Sequence, residues 1–213
     1  MKESTSKEKV LKNIRNALIS KLVNPFKNVD FSSPVFRKQE EVPEVQFASK
    51  LVESGGIFIY CLNEKEVISN LEALIEKEGW KNIHCLDDKL NRLLAQGEID
   101  IIRNLEEYHF LEVGITACDF LISRFGSVMV SSGLGSGRRI FVFPETHVVI
   151  ANASQVVHEL KDALTAMKKK YAYNFPSQIT VITGPSRTAD IEKTLVMGAH
   201  GPKNLYVFMI DDM

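Results

Sequence analysis

Apolar residues Val10, Leu11, Ile14, Leu18 and Leu22 recur at helical spacing and predict an amphipathic helix over residues 7–23. Residues 24–43 carry Pro25, Pro34 and Pro43 without periodicity and read as an extended connector. Residues 1–43 therefore form an N-terminal arm and residues 44–213 a domain. The helix suits two uses, an oligomerisation arm or a helix folded back on its own domain.

A helical pattern through Phe47, Leu51 and Val52 leads to Gly55-Gly56, and the apolar run 57–62 then predicts a buried strand. Asn63 and Glu66 are spaced as a capping box, Val67, Leu71, Leu74 and Ile75 form a stripe, and Gly79 closes the helix. A strand over 82–86, a short helix over 87–96 and a strand within 108–116 follow, the last leading into a helical turn with Cys118, Asp119 and Phe120. Apolar runs at 127–131, 139–143 and 147–151 stand too close together for helical crossovers and predict antiparallel pairings. Ser154 reads as the cap of a helix whose Val157, Leu160, Leu164 and Met167 face the core. Its last turn places Lys168, Lys169 and Lys170 at the negative end of the helix dipole, which explains them without a ligand. A strand over 178–183, a helix over 186–196 and a strand over 204–210 read as a βαβ unit. The alternation predicts an α/β fold with a mostly parallel sheet flanked by helices.

A chain of 213 residues buries enough surface to fold without disulfides. Its 26 basic and 27 acidic side chains leave a net charge of -1, which supplies no field for nucleic acid. Cys61, Cys85 and Cys118 are far apart and form no CxxC, which suits buried thiols in the reducing cytoplasm. No metal or iron–sulfur site is expected on this chain, and any redox work would move its electrons elsewhere. No stretch approaches about 18 uncharged apolar residues, so no membrane span is expected.

Three segments carry candidate chemistry. In Ser131-Ser132-Gly133-Leu134-Gly135-Ser136-Gly137-Arg138-Arg139, alternating glycines and two arginines suit either a loop that holds an anion or a soluble hairpin tip. In Gly184-Pro185-Ser186-Arg187-Thr188, hydroxyls and a guanidinium follow a strand and open a predicted helix, a place for an anion or simply a helix cap. In Gly198-Ala199-His200-Gly201-Pro202, His200 suits acid–base work, donation to a carboxylate, or a turn bonded to its own backbone. His147 has the same two-sided reading, while His84, His109 and His158 read as structural.

Together, Val113-Gly114-Ile115-Thr116-Ala117, the Gly126-Ser127 pair, Pro144-Glu145-Thr146-His147, residues 184–192 and residues 198–202 resemble the lactate utilisation protein C family, or LUD domain. The resemblance implies a fold like that of the sugar-phosphate isomerase and CoA-transferase superfamily. It also implies an accessory role, with partner iron–sulfur oxidoreductase subunits, in oxidising L-lactate to pyruvate. On that basis Arg187, Ser186, Thr188, His200, His147, Gly133, Gly135, Gly137 and Arg138 are expected to line a single cationic recess for a small anion. The alternative is a stand-alone enzyme acting on a sugar phosphate or CoA thioester. One departure stands out: Arg124-Phe125-Gly126-Ser127 occupies the place of a Glu-Thr-Gly-Thr-like segment in relatives.

Overall fold

The computed structural model of the chain describes residues 5–19, 26, 28–30, 41–103, 111–188 and 196–212. Two units emerge, residues 1–40 and 41–213. In the first, helix α1 (Ser6–Ile19) opens with a reciprocal cap, the Thr5 amide donating to Glu8 Oε2 (2.9 Å) and the Glu8 amide to Thr5 Oγ1 (3.4 Å). The end of the predicted helix and most of the connector lie outside the described residues.

The second unit begins with α2 (Pro43–Glu53), whose proline stands in the first turn, where its missing N–H costs nothing. Next come β1 (Ile57–Cys61), α3 (Glu64–Glu78), β2 (Ile83–Cys85), α4 (Asp88–Leu94) and β3 (Val113–Thr116). Asn63 caps α3 as its spacing predicts, but Glu66 reaches the Leu62 amide (2.8 Å). Gly79 ends the helix in the left-handed region (φ 71°). The chain continues through β4 (Phe120–Ile122), β5 (Ser127–Ser131), β6 (Thr146–Asn152), β7 (Val156–Val157), α5 (Leu160–Lys170), β8 (Ile179–Ile182), β9 (Arg187–Thr188), β10 (Val196–Met197) and β11 (Asn204–Ile210).

Five strands form a wholly parallel sheet in the order β1-β11-β6-β3-β2. Its period-two alternation feeds two cores. Val148 and Ile150 of β6 with Tyr206 and Phe208 of β11 pack against α3 and α4. Val149 and Ala151 with Leu205, Val207 and Met209 pack against Phe47 and Leu51 of α2 and against Leu121, Val128 and Val130. Those last three belong to a second sheet, β7-β4-β5-β8, in which β5 runs antiparallel to both neighbours. Its outer face covers Met167 and Ala163 of α5. The mostly parallel sheet flanked by helices is as expected, and the second sheet adds a layer.

Several local expectations are corrected. Residues 139–143 form turns rather than a strand, though Ile140 and Phe141 are buried. No helical turn holds Asp119 and Phe120, because β4 starts at Phe120. Helix α5 opens at Glu159, whose amide donates to Asp162, and Ser154 is tied instead to Asp212 (Oγ to Oδ2, 2.5 Å). The turn of the helix therefore differs: Ala163 and Met167 are buried, while Leu160 and Leu164 are exposed and Val157 lies in β7. His158 precedes the helix. In place of the ends of the predicted helix 186–196, β9 and β10 pair antiparallel; residues 189–195 lie outside the described residues. Strands β8 and β11 belong to different sheets, so they form no βαβ unit.

Candidate functional site

Strand β8 delivers the chain to Gly184, which adopts φ 69° with its Cα so near α2 that an added Cβ would stand 2.3 Å from the Ser54 carbonyl oxygen. Beyond it, residues 184–188 and 198–202 are stitched together. The Ser186 amide donates to the Pro202 carbonyl (2.8 Å), the Gly198 amide to the Ser186 carbonyl (2.9 Å) and the His200 amide to Ser186 Oγ (3.4 Å). This backbone pairing satisfies both loops without a helix. It gathers Ser186, Arg187, His200 and His147 around a cavity of about 280 Å³ that also includes Thr183. Among the described residues no carboxylate lines it. The Arg187 guanidinium donates to the Ser54 carbonyl oxygen, which uses one of its five N–H groups and fixes its reach. Thr188 lies outside the cavity wall.

His147 forms the floor. It is the second residue of β6, fully buried, with Nε2 2.8 Å from Thr116 Oγ1 and Nδ1 without a hydrogen-bond partner among the described residues. Burial pushes its pKa down to about 3, so the ring is neutral at pH 7 and offers a hydrogen-bonding group rather than a charge. Beside the cavity, His200 also borders a broader groove of about 820 Å³ containing Glu112 and the Lys203–Glu145 ion pair (2.6 Å).

The glycine-rich loop does not join this cavity. Gly133 and Gly135 border a separate recess of about 750 Å³, and Gly137 and Arg138 line neither, Arg138 donating to Ser177 Oγ. The expected single recess is therefore corrected to two, and the strand directions explain why. Both segments follow strands, which in a parallel sheet would set them at the same edge. Strands β5 and β8 run antiparallel, so the loop after β5 reaches the carboxyl ends of the parallel strands and residues 183–188 reach their amino ends.

Lys170 and Tyr171 line the carboxyl-end recess, and the sequence reading missed the contact that both make with Asp119. Asp119 is buried, and its Oδ1 accepts from both Lys170 Nζ (2.7 Å) and Tyr171 Oη (2.7 Å). Burial pulls the Lys170 pKa down, but the hydrogen bond and charge of Asp119 outweigh it and hold the pKa above the ordinary lysine value. Burial and Asp119 likewise raise the Tyr171 phenol. Nothing in the spacing signals this contact, 51 residues apart, within a lysine run that helix-end electrostatics already explains. Arg124 and Phe125 line neither recess; Arg124 Nη1 stands 3.5 Å from Glu159 Oε1 in the β4–β5 turn.

These features define an α/β protein in which a parallel sheet is backed by a smaller, largely antiparallel one. A family model described as LUD domain matches residues 45–210, and the chain belongs to that family. Among similar proteins, the lactate utilization protein C of Shouchella clausii is 28% identical over 187 residues, 82% of this chain and 77% of its own length. That of Anoxybacillus flavithermus is 35% identical over 162 residues, 70% of this chain and 72% of its own. The match to the Macrococcus caseolyticus protein of the same name is 36% identical but spans 51% of this chain and 48% of the relative. A crystal structure of a DUF162 family protein from Deinococcus radiodurans shares the fold, with a TM-score of 0.59 and 16% identity over 79% of this chain and 96% of that one.

Proposed function

We propose that this chain is a cytoplasmic accessory subunit of an iron–sulfur-containing system that oxidises L-lactate to pyruvate, and that it holds a small carboxylate at the amino ends of its parallel strands. The observation that carries the reading is the 280 Å³ cavity in which Arg187, His200, Ser186 and the neutral His147 converge without an opposing carboxylate. A guanidinium pairs with a carboxylate through two parallel N–H bonds, and hydroxyls and imidazole suit the 2-hydroxyl or 2-oxo group beside it. The relatives named lactate utilization protein C support a role in lactate utilization.

The thiols support placing the redox centres on partner subunits. Cys61 and Cys85 lie on the two edge strands, four strand spacings or about 19 Å apart, too far to share a cluster. Burial raises the pKa of all three cysteines, that of Cys85 to about 11, which disfavours the thiolate that ligation needs. The partner subunits would accept the two electrons and two protons released from lactate. The stripe of α1 is the proposed contact for assembly, either with those subunits or with a second copy.

Reconstitution with the iron–sulfur subunits tests the reading. Omitting this chain should abolish lactate-dependent reduction of an acceptor, the isolated chain should oxidise no lactate, and Arg187→Ala should weaken lactate or pyruvate binding about tenfold or more. Turnover by the isolated chain, or full activity without it, overturns the proposal. Removing residues 1–23 should prevent co-purification with the partners or alter oligomeric state; unchanged assembly would remove the role given to α1.

A further inference from the structure

We propose that the carboxyl-end recess is a second ligand site, built for a nucleotide and independent of the small-anion cavity. The recess collects residues that follow the carboxyl ends of all five parallel strands: Glu64 after β1, Asp87 after β2, Ala117 after β3, Asn152 at the end of β6 and Ile210 at the end of β11. That edge is where open parallel sheets take ligands, because the strand ends and the loops beyond them leave a crevice. Its 750 Å³ far exceeds the needs of a three-carbon acid and suits a ligand of nucleotide size.

Three regions of its wall match three parts of such a ligand. Lys170 projects from α5 with one N–H on Asp119 Oδ1 and two left for phosphate oxygens. Tyr171 anchors to the same oxygen, so the cation is held in place rather than free to swing. Asp119 is buried and does not itself line the recess, so it orients the lysine without presenting its carboxylate to the ligand. Beside the trio, Gly133 and Gly135 bring bare backbone to the recess: a Cβ at Gly133 would stand 2.7 Å from the Tyr171 ring, and one at Gly135 3.0 Å from Asp87 Oδ2.

The residues at the start of α4 have a different character. Asp88 at the start of α4 offers acceptors suited to ribose hydroxyls, Asp87 caps that helix through Oδ1 and meets Gly135 through Oδ2, and the edges of Leu90, Leu93 and Ile150 add apolar lining.

Titration of the full chain with AMP, NAD, adenosine and inorganic phosphate, followed by calorimetry and by ¹⁵N amide shifts, tests the site. A phosphorylated nucleoside should bind one to one with Kd below about 1 mM. It should move the amides of Gly133, Gly135 and Asn152, and should lose about tenfold or more in affinity on Lys170→Met while Arg187→Ala leaves it unchanged. Adenosine or phosphate alone should bind more weakly. Absence of nucleotide binding at millimolar concentration, shifts confined to the amino-end cavity, or equal binding by adenosine overturns the proposal. The amide shifts of the unaltered chain decide the matter even if Lys170→Met fails to fold. A negative result would leave the reading of the Arg187 cavity standing, since that rests on lactate binding and reconstitution.

Discussion

Protonating His147 in place would put a charge into a fully buried site, so the folded chain keeps the ring neutral down to about pH 3 whereas the unfolded chain takes a proton near 6.5. The folded value is the lower one. Its contribution to stability is therefore complete above about pH 6.5 and lost as pH falls from there toward 3, at about 1.4 kcal/mol per unit. Denaturant titrations at pH 7 and pH 5 should show about 2 kcal/mol more loss for the native sequence than for His147→Gln; equal losses would mean the ring is not held neutral. Gly126 makes a steric prediction. It adopts φ 61°, and an added Cβ would stand 2.1 Å from the Leu51 amide nitrogen. Gly126→Ala should cost about 2–4 kcal/mol by chemical denaturation, from left-handed strain plus displacement of α2. At this scale the sequence announces Gly126, His147 and Arg187 as notable. It is silent on Asp119, because a buried acid beside a buried cysteine reads as part of a turn until its lysine partner is seen across the fold.

At the scale of elements, local chemistry was legible wherever it sufficed to decide the structure. Asn63 and Gly79 bracket α3, and Asp87 caps α4 by accepting from the Lys89 (2.9 Å) and Leu90 (3.1 Å) amides. Asp87→Ala should cost about 1 kcal/mol, while Asp87→Ser should restore most of it, measured by thermal or denaturant unfolding. Local chemistry misled where a tertiary contact competed with it. Ser186, Thr188 and the acids beyond them spell a helix start, yet Ser186 gives its backbone groups to Pro202 and Gly198, and β9 pairs with β10. Ser154 likewise spells a cap but bonds Asp212. The ion pair that ties α5 to the start of β4 is open to the same kind of test. Asp119→Ala should destabilise by about 2–3 kcal/mol, at or below the low end for a buried pair because the Lys170 side chain is 41% exposed.

For the whole molecule, the parallel sheet could be read from its buried β-rich runs, but the direction of the second sheet could not. Hydrophobic alternation looks the same for a strand running either way, and only the partner's register reveals that β5 and β8 oppose each other. That one fact separates the glycine-rich loop from Arg187 and turns an expected shared pocket into two ends of a molecule.

The three interior thiols carry a further consequence. Cys61 sits on one edge strand, Cys85 on the other and Cys118 just beyond β3, each shielded in the folded chain. Together they form a built-in reporter of breathing. An alkylating reagent should spare all three under native conditions, and mass spectrometry of chain held in rising urea should reveal which border of the sheet frays first. Prompt modification of Cys118 without denaturant would show that the carboxyl-end recess, which it lines, admits the reagent.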